Sequence, residues 1–134
     1  MTERIVIVGA GTGGIVLANN LAEELATEID AGNIEVQLVN DGEKHVYKPT
    51  WLYVPFGEKT LADATRPLAD LVDDRIDLTI DRVDGIDTDD KTVSLAGAGV
   101  DESYDHLVLA MGAQVTPEET PGLAEGGHHF YGPE

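Results

Sequence analysis

Three glycines near the start of the chain have a spacing that suits the binding of phosphate groups. Gly9, Gly11 and Gly14 match the pattern G-x-G-x-x-G. In this pattern the first glycine permits a tight exit from a strand, the second lets a diphosphate approach the backbone, and the third lets a helix pack closely on the strand. The N–H groups and the positive dipole end of the helix would complete the cradle. A purely structural turn is the alternative interpretation.

The segments on either side of these glycines supply the context that such a cradle requires. Residues 4–8 are a short β-branched run, typical of a strand buried on both faces. Apolar residues at helical spacing predict a helix over residues 15–29, which Gly32 and Asn33 end. A second strand is predicted at residues 35–39. This strand–helix–strand unit, right-handed by default, favours dinucleotide binding over a structural turn.

Polar residues at the end of the second strand are candidates to bind the adenine ribose. Glu35 has the expected sequence distance from the glycines but lies at the wrong end of the strand, whereas Asn40 and Asp41 lie at the correct end. Asn40 could hydrogen-bond a hydroxyl through its amide, and Asp41 through its carboxylate. An unpaired acid there disfavours phosphorylated nicotinamide cofactors, and the alternative for Asp41 is a simple turn with Gly42. The glycines alone do not separate FAD from NAD.

The rest of the chain predicts how the sheet continues. Three strand-like runs at residues 76–80, 82–86 and 92–95 are separated by Asp-rich and Gly-rich turns and predict an antiparallel meander. The apolar run 107–110 predicts a return to the buried parallel sheet, and a short helix is predicted near Pro67. The predicted fold class is α/β: a Rossmann-like parallel sheet with an inserted antiparallel β-meander.

Composition excludes several classes of function. The 134 residues carry 26 Asp and Glu against 8 Lys and Arg, a net charge of −18, which repels DNA, RNA and anionic lipid headgroups. This acid-rich composition is typical of salt-saturated cytoplasms, so we expect a halophilic source. The lack of cysteine excludes disulfides, thiolate metal sites and cysteine catalysis within these residues. No run predicts a membrane span or a signal peptide, so the expected compartment is the cytoplasm.

The remaining polar residues predict neither a catalytic group nor a metal site. A zinc site needs three or four ligands, and the adjacent histidines have no spaced partner. The aspartate pairs lack apolar neighbours and are interpreted as solvated turns rather than paired catalytic acids. The residues considered are His45, His106, His128, His129, Asp73, Asp74, Asp89 and Asp90.

One segment separates flavoproteins from other dinucleotide-binding proteins. Residues 104–113, YDHLVLAMGA, resemble the YDxLVIATGA segment of flavoproteins with two dinucleotide-binding domains, with Met111 where threonine is usual. The whole chain resembles the amino-terminal part of the sulfide:quinone oxidoreductase family, which includes flavocytochrome c sulfide dehydrogenase and is related to type II NADH dehydrogenases. The other matching segments are residues 5–14, 45–57 and 116–123.

The resemblance implies a FAD enzyme that takes electrons from sulfide and passes them to a membrane quinone. The glycine loop, with Gly9, Gly11, Thr12 and Gly14, would bind the diphosphate, and Asn40 or Asp41 at the end of the second strand would bind the ribose. Val83 in a meander strand would contact the adenine through its backbone. Two further segments would lie near the isoalloxazine, with the residues Lys48, Pro49, Thr50, Gly112 and Ala113. A surface position is the alternative for Lys48. Core packing is the preferred interpretation of Trp51, Tyr53 and Phe56.

The chain departs from that family in its extent. It is considerably shorter and lacks the redox cysteines, the second nucleotide-binding domain and a carboxy-terminal amphipathic helix for peripheral membrane contact. We therefore expect residues 1–134 to be a truncated amino-terminal portion of a FAD-binding domain that is inactive alone. An incomplete sheet would leave an open apolar edge that favours self-association. The alternatives are a fragment of a type II NADH dehydrogenase and a non-catalytic adenine-dinucleotide-binding module.

Overall fold

The structure, a computed structural model that describes residues 1–129 and 131–132, has nine strands and three α-helices in that part of the chain. The strands are β1 Glu3–Val8, β2 Ile34–Asn40, β3 Lys44–Val46, β4 Thr65–Pro67, β5 Asp77–Ile80, β6 Val83–Asp87, β7 Thr92–Leu95, β8 Val100–Ser103 and β9 His106–Leu109. The helices are α1 Thr12–Glu24, α2 Ala26–Asp30 and α3 Leu123–Gly126. The central sheet has the order β5-β2-β1-β9 and is parallel, while β6-β7-β8 and β3-β4 are antiparallel.

Burial of the central strands on both faces accounts for the predicted α/β class, which is confirmed. On one face of β1, Ile7 packs in the core formed with Ala18 of α1. On the other face, Val6 and Val8 pack with Val93 of the antiparallel sheet. Because helices cover one face and the meander covers the other, the strand is continuously apolar rather than alternating.

The first helix begins earlier and ends sooner than predicted. Gly11 has an extended conformation (φ −72°, ψ −174°) and precedes the first helical residue, Thr12. Leu25 (φ −105°, ψ 17°) separates α1 from α2, and the N–H of Gly32 donates to Ile29 O at the end of α2. The helix predicted over residues 15–29 is therefore present but interrupted at Leu25. Apolar residues continue at helical spacing across the break. The spacing therefore does not predict that the backbone angles change at one residue.

The antiparallel sheet contains different strands from those predicted. The sequence predicts that β5 begins the meander, but this strand pairs in parallel with β2, and Leu78 packs on the α1 side of the central sheet. The third meander strand is β8, which pairs with β7. The sequence does not predict β8 because only Val100 of its four residues is apolar, and the backbone ladder rather than side-chain burial specifies the strand.

The predicted return of residues 107–110 to the central sheet is confirmed by β9. This strand pairs in parallel with β1 and, within the described residues, with no other strand. The side chain of Leu109 is 54% exposed. The edge agrees with the predicted open apolar edge, whereas self-association stays a prediction.

Residues 47–64, called the 47–64 loop below, connect β3 to β4, so both ends of the loop lie at this pair of strands. The β3–β4 ladder pairs Val46 with Thr65 and closes the base of the loop. The N–H of Tyr47 also donates to Ala64 O at 2.7 Å. The loop therefore has fixed ends, although neither of its two short flanking strands is predicted from the sequence.

Aromatic residues of the 47–64 loop are more exposed than predicted. The loop begins with a 3₁₀ helix at Lys48–Tyr53. Tyr53 is 49% exposed and Phe56 is 72% exposed, while Trp51 is half-buried. The predicted core packing is wrong for Tyr53 and Phe56, because the loop contributes no strand to the central sheet or to the antiparallel sheet, on whose faces the core is built.

The other helical segments are short. A 3₁₀ turn at Leu68–Asp70 follows Pro67, where the sequence predicts a short helix, and Leu68 is fully buried. Another 3₁₀ turn lies at Pro117–Glu119, shortly before α3. Among the residues that the structure describes, no helix is long and apolar enough to cross a membrane.

Candidate cofactor site

The glycine loop joins the end of β1 to α1 and packs against the chain that leaves β9. Gly9 has φ +103°, a conformation that favours glycine, and its N–H donates to Val39 O at 2.8 Å. A Cβ on Gly9 would lie 2.6 Å from Ala110 O, and a Cβ on Gly14 would collide with Gly9 O. The tight exit and the close helix packing expected of these two glycines are therefore present.

The space next to Gly11 is open. A Cβ added there would meet only Ala110 O, at 3.9 Å. Gly11 is the N-cap of α1, no side chain caps this helix end, and its first turn contains no acidic residue. The first N–H groups of a helix have no partner within the helix. This arrangement suits a diphosphate, because unpaired donors and a positive dipole end face a space that no side chain fills.

The side chain of Asn40 connects the glycine loop to the end of β2. Its Oδ1 accepts the N–H of Ala10 at 2.9 Å, and its Nδ2 donates to Gly42 O at 2.8 Å. From the other side, His45 Nδ1 donates to Ala10 O at 3.2 Å. These bonds hold the loop in place. His45, an isolated histidine in the sequence, thus has a structural role next to the site.

Asp41 is exposed, and within the described residues its carboxylate makes neither a hydrogen bond nor an ion pair. It follows β2 directly, as predicted, at the carboxyl end of the strand. Glu35 lies near the opposite end of β2, where its Oε1 is 3.6 Å from Nη2 of Arg4. The structure thus leaves the carboxylate of Asp41 available to a ligand.

A cleft of about 350 Å³ lies at the carboxyl ends of β1 and β2 and beside the start of β6. It brings together the predicted residues Gly9, Asn40, Asp41 and Val83. Its lining is formed by Val8, Gly9, Val39, Asn40, Asp41, Asp81, Arg82, Val83 and Met111. The sequence does not predict that Asp81, Arg82 and Met111 line this cleft. Met111 is 64% exposed and so does not belong to the core.

Asp81 fixes the chain where β6 enters this cleft. Its carboxylate accepts the N–H groups of Gly97 and Ala98, each at 2.8 Å, and of Arg82 at 2.7 Å. The hydrogen bonds from Gly97 and Ala98, followed by that from Arg82, hold the pKa of Asp81 below its ordinary value. They connect the start of β6 to the β7–β8 turn and thereby position Arg82 and Val83.

A second cleft, of about 620 Å³, lies between the 47–64 loop and the chain that follows β9. Lys48 lines it, with Nζ 4.1 Å from the ring centroid of Tyr131. The hydroxyl of Tyr131 donates to Ala113 O at 3.2 Å. The full lining is Lys48, Trp51, Ala113, Gln114, Val115, Thr116, Pro117, Glu118, His129, Tyr131 and Gly132.

The remaining predicted residues lie outside both clefts. Thr12 is exposed at the first position of α1, and Gly112, at φ +75°, lies between Met111 of the first cleft and Ala113 of the second. Pro49 and Thr50 follow Lys48 in the 3₁₀ helix. Within the described ranges, no group of three metal-ligating side chains is present.

Comparisons with known proteins agree with this architecture. The family model for pyridine nucleotide-disulphide oxidoreductases matches residues 3–132. The mitochondrial sulfide:quinone oxidoreductase of Mus musculus is 29% identical over 122 residues, which are 91% of this chain and 26% of that protein. An NADH dehydrogenase-like protein of Mycobacterium tuberculosis is 32% identical over 126 residues, which are 92% of this chain and 30% of that protein.

A solved structure shows the same fold. The sulfide:quinone oxidoreductase of Aquifex aeolicus matches with a TM-score of 0.76 at 24% identity, over 92% of this chain and 27% of the other. The chain thus spans about a quarter of the length of the relatives it matches. On the family match over residues 3–132, the chain belongs to the pyridine nucleotide-disulphide oxidoreductase family, whose members are FAD-binding oxidoreductases.

Proposed function

We propose that this chain binds the ADP portion of FAD in the first cleft and is the amino-terminal portion of the FAD-binding domain of a sulfide:quinone-type oxidoreductase. The observation that carries the proposal is the open space beside Gly11, at an uncapped helix end and next to the carboxyl ends of two parallel strands. Ligands of open α/β sheets bind outside that end of the strands.

Residues of the glycine loop and of the first cleft have distinct parts in this proposal. The backbone at Gly11, Thr12 and Gly14 donates to the diphosphate, because the start of α1 has unpaired N–H groups. The carboxylate of Asp41 accepts from the ribose hydroxyls. The backbone of Val83 contacts the adenine, and Asp81 holds that backbone in place.

The second cleft is proposed to receive the isoalloxazine end of the cofactor. Lys48 and Ala113 line it, and Pro49, Thr50 and Gly112 adjoin them in the chain. The flavin supplies the electron transfer when bound, and the protein orients it. Lys48 presents an ammonium group there, held over the face of an aromatic ring.

The electron donor is proposed from the relatives. Sulfide as donor and quinone as acceptor follow the sulfide:quinone oxidoreductases that the chain resembles. The second candidate, a type II NADH dehydrogenase, is favoured by the NADH dehydrogenase-like relative. The group competent to accept sulfide sulfur is a thiolate or disulfide. Cysteines encoded downstream of residue 134 would favour the first candidate, and their absence the second.

We further propose that residues 1–134 alone do not reduce quinone with sulfide, because no sulfur-accepting group is present among them. The assay is quinone reduction by sulfide with the FAD-supplemented chain. A flavin-dependent rate from this chain alone would contradict the proposal.

The FAD site is tested by placing a methyl group where the diphosphate is proposed to lie. Gly11→Ala meets no protein atom closer than 3.9 Å and should keep the melting temperature of the parent chain. It should raise the Kd for FAD at least about tenfold, because the methyl prevents close approach to the backbone. Flavin fluorescence titration measures the Kd.

Gly13→Ala is the matched control for this experiment. It changes a glycine of the same helical turn, and a Cβ there meets nothing within 4 Å. We expect it to bind FAD as the parent chain does. If Gly11→Ala and Gly13→Ala bind FAD equally well, the proposed cradle is wrong.

A further inference from the structure

Arg82 is the cationic side chain of the first cleft. Among the described residues that line this cleft, the charged ones are Asp41, Asp81 and Arg82. The carboxylate of Asp81 already accepts backbone N–H groups, and Asp41 is the proposed partner of the ribose hydroxyls. The guanidinium of Arg82 makes neither a hydrogen bond nor an ion pair within the part of the chain that the structure describes. It is therefore available to a ligand.

The backbone of Arg82 is fixed beside the position proposed for the adenine. Its N–H donates to Asp81 Oδ1 at 2.7 Å, and its carbonyl accepts the N–H of Ala96 at 2.8 Å. The next residue, Val83, packs its side chain in the core with Val93, whereas the side chain of Arg82 is exposed. Val83 thus offers its backbone to the edge of a base, and Arg82 offers a long side chain to the face of the same base.

The guanidinium is the group of this cleft that suits the face of a base. Among the described residues, the lining of the first cleft contains no aromatic ring. The flat groups of Asn40 and Asp81 are engaged with the backbone. A guanidinium is planar, delocalised and weakly hydrated, so it can lie against an aromatic ring. Proteins hold bases in this way on arginine planes as well as on aromatic side chains.

The diphosphate is the other group that could attract Arg82. Its proposed position is beside Gly11 at the start of α1, where unpaired N–H groups already supply donors. Gly11 and Thr12 are not among the residues that line the first cleft, whereas Arg82 directly precedes the residue proposed to contact the adenine. This placement favours the base over the phosphates as the partner of Arg82.

We propose that the guanidinium of Arg82 stacks on the adenine ring and makes the first cleft selective for purine nucleotides. This role rests on the proposed function, because it requires an adenine nucleotide in that cleft. A cation on an aromatic face lowers the Kd roughly twofold to thirtyfold, depending on how completely water is excluded. A pyrimidine presents a smaller ring, so it gains less from the same contact.

The experiment compares ADP with UDP, which share a ribose and a diphosphate and differ in the base. Both are titrated into the full chain without FAD by isothermal titration calorimetry. We expect ADP to bind at least about tenfold more tightly than UDP. Arg82→Ala should raise the Kd for ADP about tenfold and the Kd for UDP less than about threefold, so that the preference for ADP falls.

Two further variants separate stacking from charge. Arg82→Lys keeps the positive charge but has no planar group, so its preference for ADP should lie closer to that of Arg82→Ala than to that of the parent chain. Arg66→Ala is the matched control, because it removes the same charge from an exposed position of β4 that lines neither cleft. It should leave both Kd values unchanged. Matching circular dichroism melts establish that the three variants are folded.

Three results would overturn the role assigned to Arg82. Equal rises in the Kd for ADP and UDP in Arg82→Ala, with full recovery in Arg82→Lys, would show that the guanidinium pairs with the diphosphate. Unchanged Kd values in Arg82→Ala would show that the guanidinium stays in solvent. Both of these results leave the proposed function intact. A parent chain that binds neither ADP nor FAD would overturn the proposed function together with the role of Arg82.

Discussion

At the scale of single residues, the sequence does not decide whether Asn40 or Asp41 binds the ribose, and the structure gives the two side chains different surroundings. The amide of Asn40 bonds to Ala10 and Gly42, so its polar atoms serve the glycine loop. The carboxylate of Asp41 has no partner within the described residues and borders the first cleft. We therefore propose Asp41, rather than Asn40, as the group that binds the ribose.

Asp41→Ala should weaken FAD binding and leave stability unchanged. Loss of a hydrogen bond to a charged group corresponds to about a tenfold or greater rise in Kd. Titration of flavin fluorescence measures the change, with Asp89→Ala in the β6–β7 turn as the control. An unaltered Kd in Asp41→Ala would show that Asp41 and Gly42 form only a turn.

Some residues of the clefts could be predicted from the sequence and others could not. Gly9, Gly11 and Asp41 follow from their positions between adjacent elements, because the end of a parallel strand has a known relation to the next helix. Arg82 and Met111 reach the same cleft through the pairing of β5 with β2 and of β9 with β1. The sequence predicts that β9 returns to the central sheet but not which strand it joins, and it places β5 in the meander instead. These pairings join segments distant in sequence, which local spacing does not specify.

At the scale of elements, the local sequence pattern predicts the first strand–helix–strand unit. It does not predict which strands distant in sequence pair with each other. β1 contains a continuous apolar run, β2 is mostly apolar, and α1 has apolar residues at helical spacing. β5 and β8 carry little of such a pattern, and their sheets are specified by the chain connections around them. The 47–64 loop illustrates the same limit, because core packing is predicted for Trp51, Tyr53 and Phe56, whereas the structure exposes Tyr53 and Phe56.

The contact of Asp81 with the β7–β8 turn predicts a pH dependence. Since the pKa of Asp81 is lower in the folded chain than its ordinary value of 3.8, its contribution to stability is present above pH 3.8 and is lost as the pH falls through the folded-state value. Asp81→Asn should therefore melt below the parent chain at pH 7, and the difference in melting temperature should shrink below pH 3.8.

Thermal melts from pH 7 to pH 3 measure this difference. Asp84→Asn, an exposed neighbour in β6, serves as the control. A melting difference between Asp81→Asn and the parent chain that stays constant across this range would contradict the role assigned to Asp81.

At the scale of the whole molecule, the net charge of −18 predicts that salt stabilises the fold. Repulsion among the acids extends over about 30 Å at 0.01 M salt and about 3 Å at 1 M. The melting temperature should therefore rise between dilute buffer and molar potassium chloride. Sucrose at the same osmolality is the control, because it acts by exclusion from the surface and not by screening.

A melting temperature that does not respond to potassium chloride would count against the predicted halophilic source. An equal rise in melting temperature in sucrose would show that solute exclusion, and not screening, stabilises the fold. The charge that opposes folding is unevenly distributed, since residues 44–66 are net positive. Screening should thus act mainly on the acid-rich remainder of the chain.

The chain that leaves β9 borders both clefts within three residues, with Met111 at one and Ala113 at the other. Residues so close lie within about 7 Å of each other. A molecule long enough to reach both clefts is therefore held at two points, and attachment of one end raises the effective concentration of the other. Separate halves of that molecule, such as a nucleotide and a free ring system, forgo this advantage and bind far more weakly than the intact ligand.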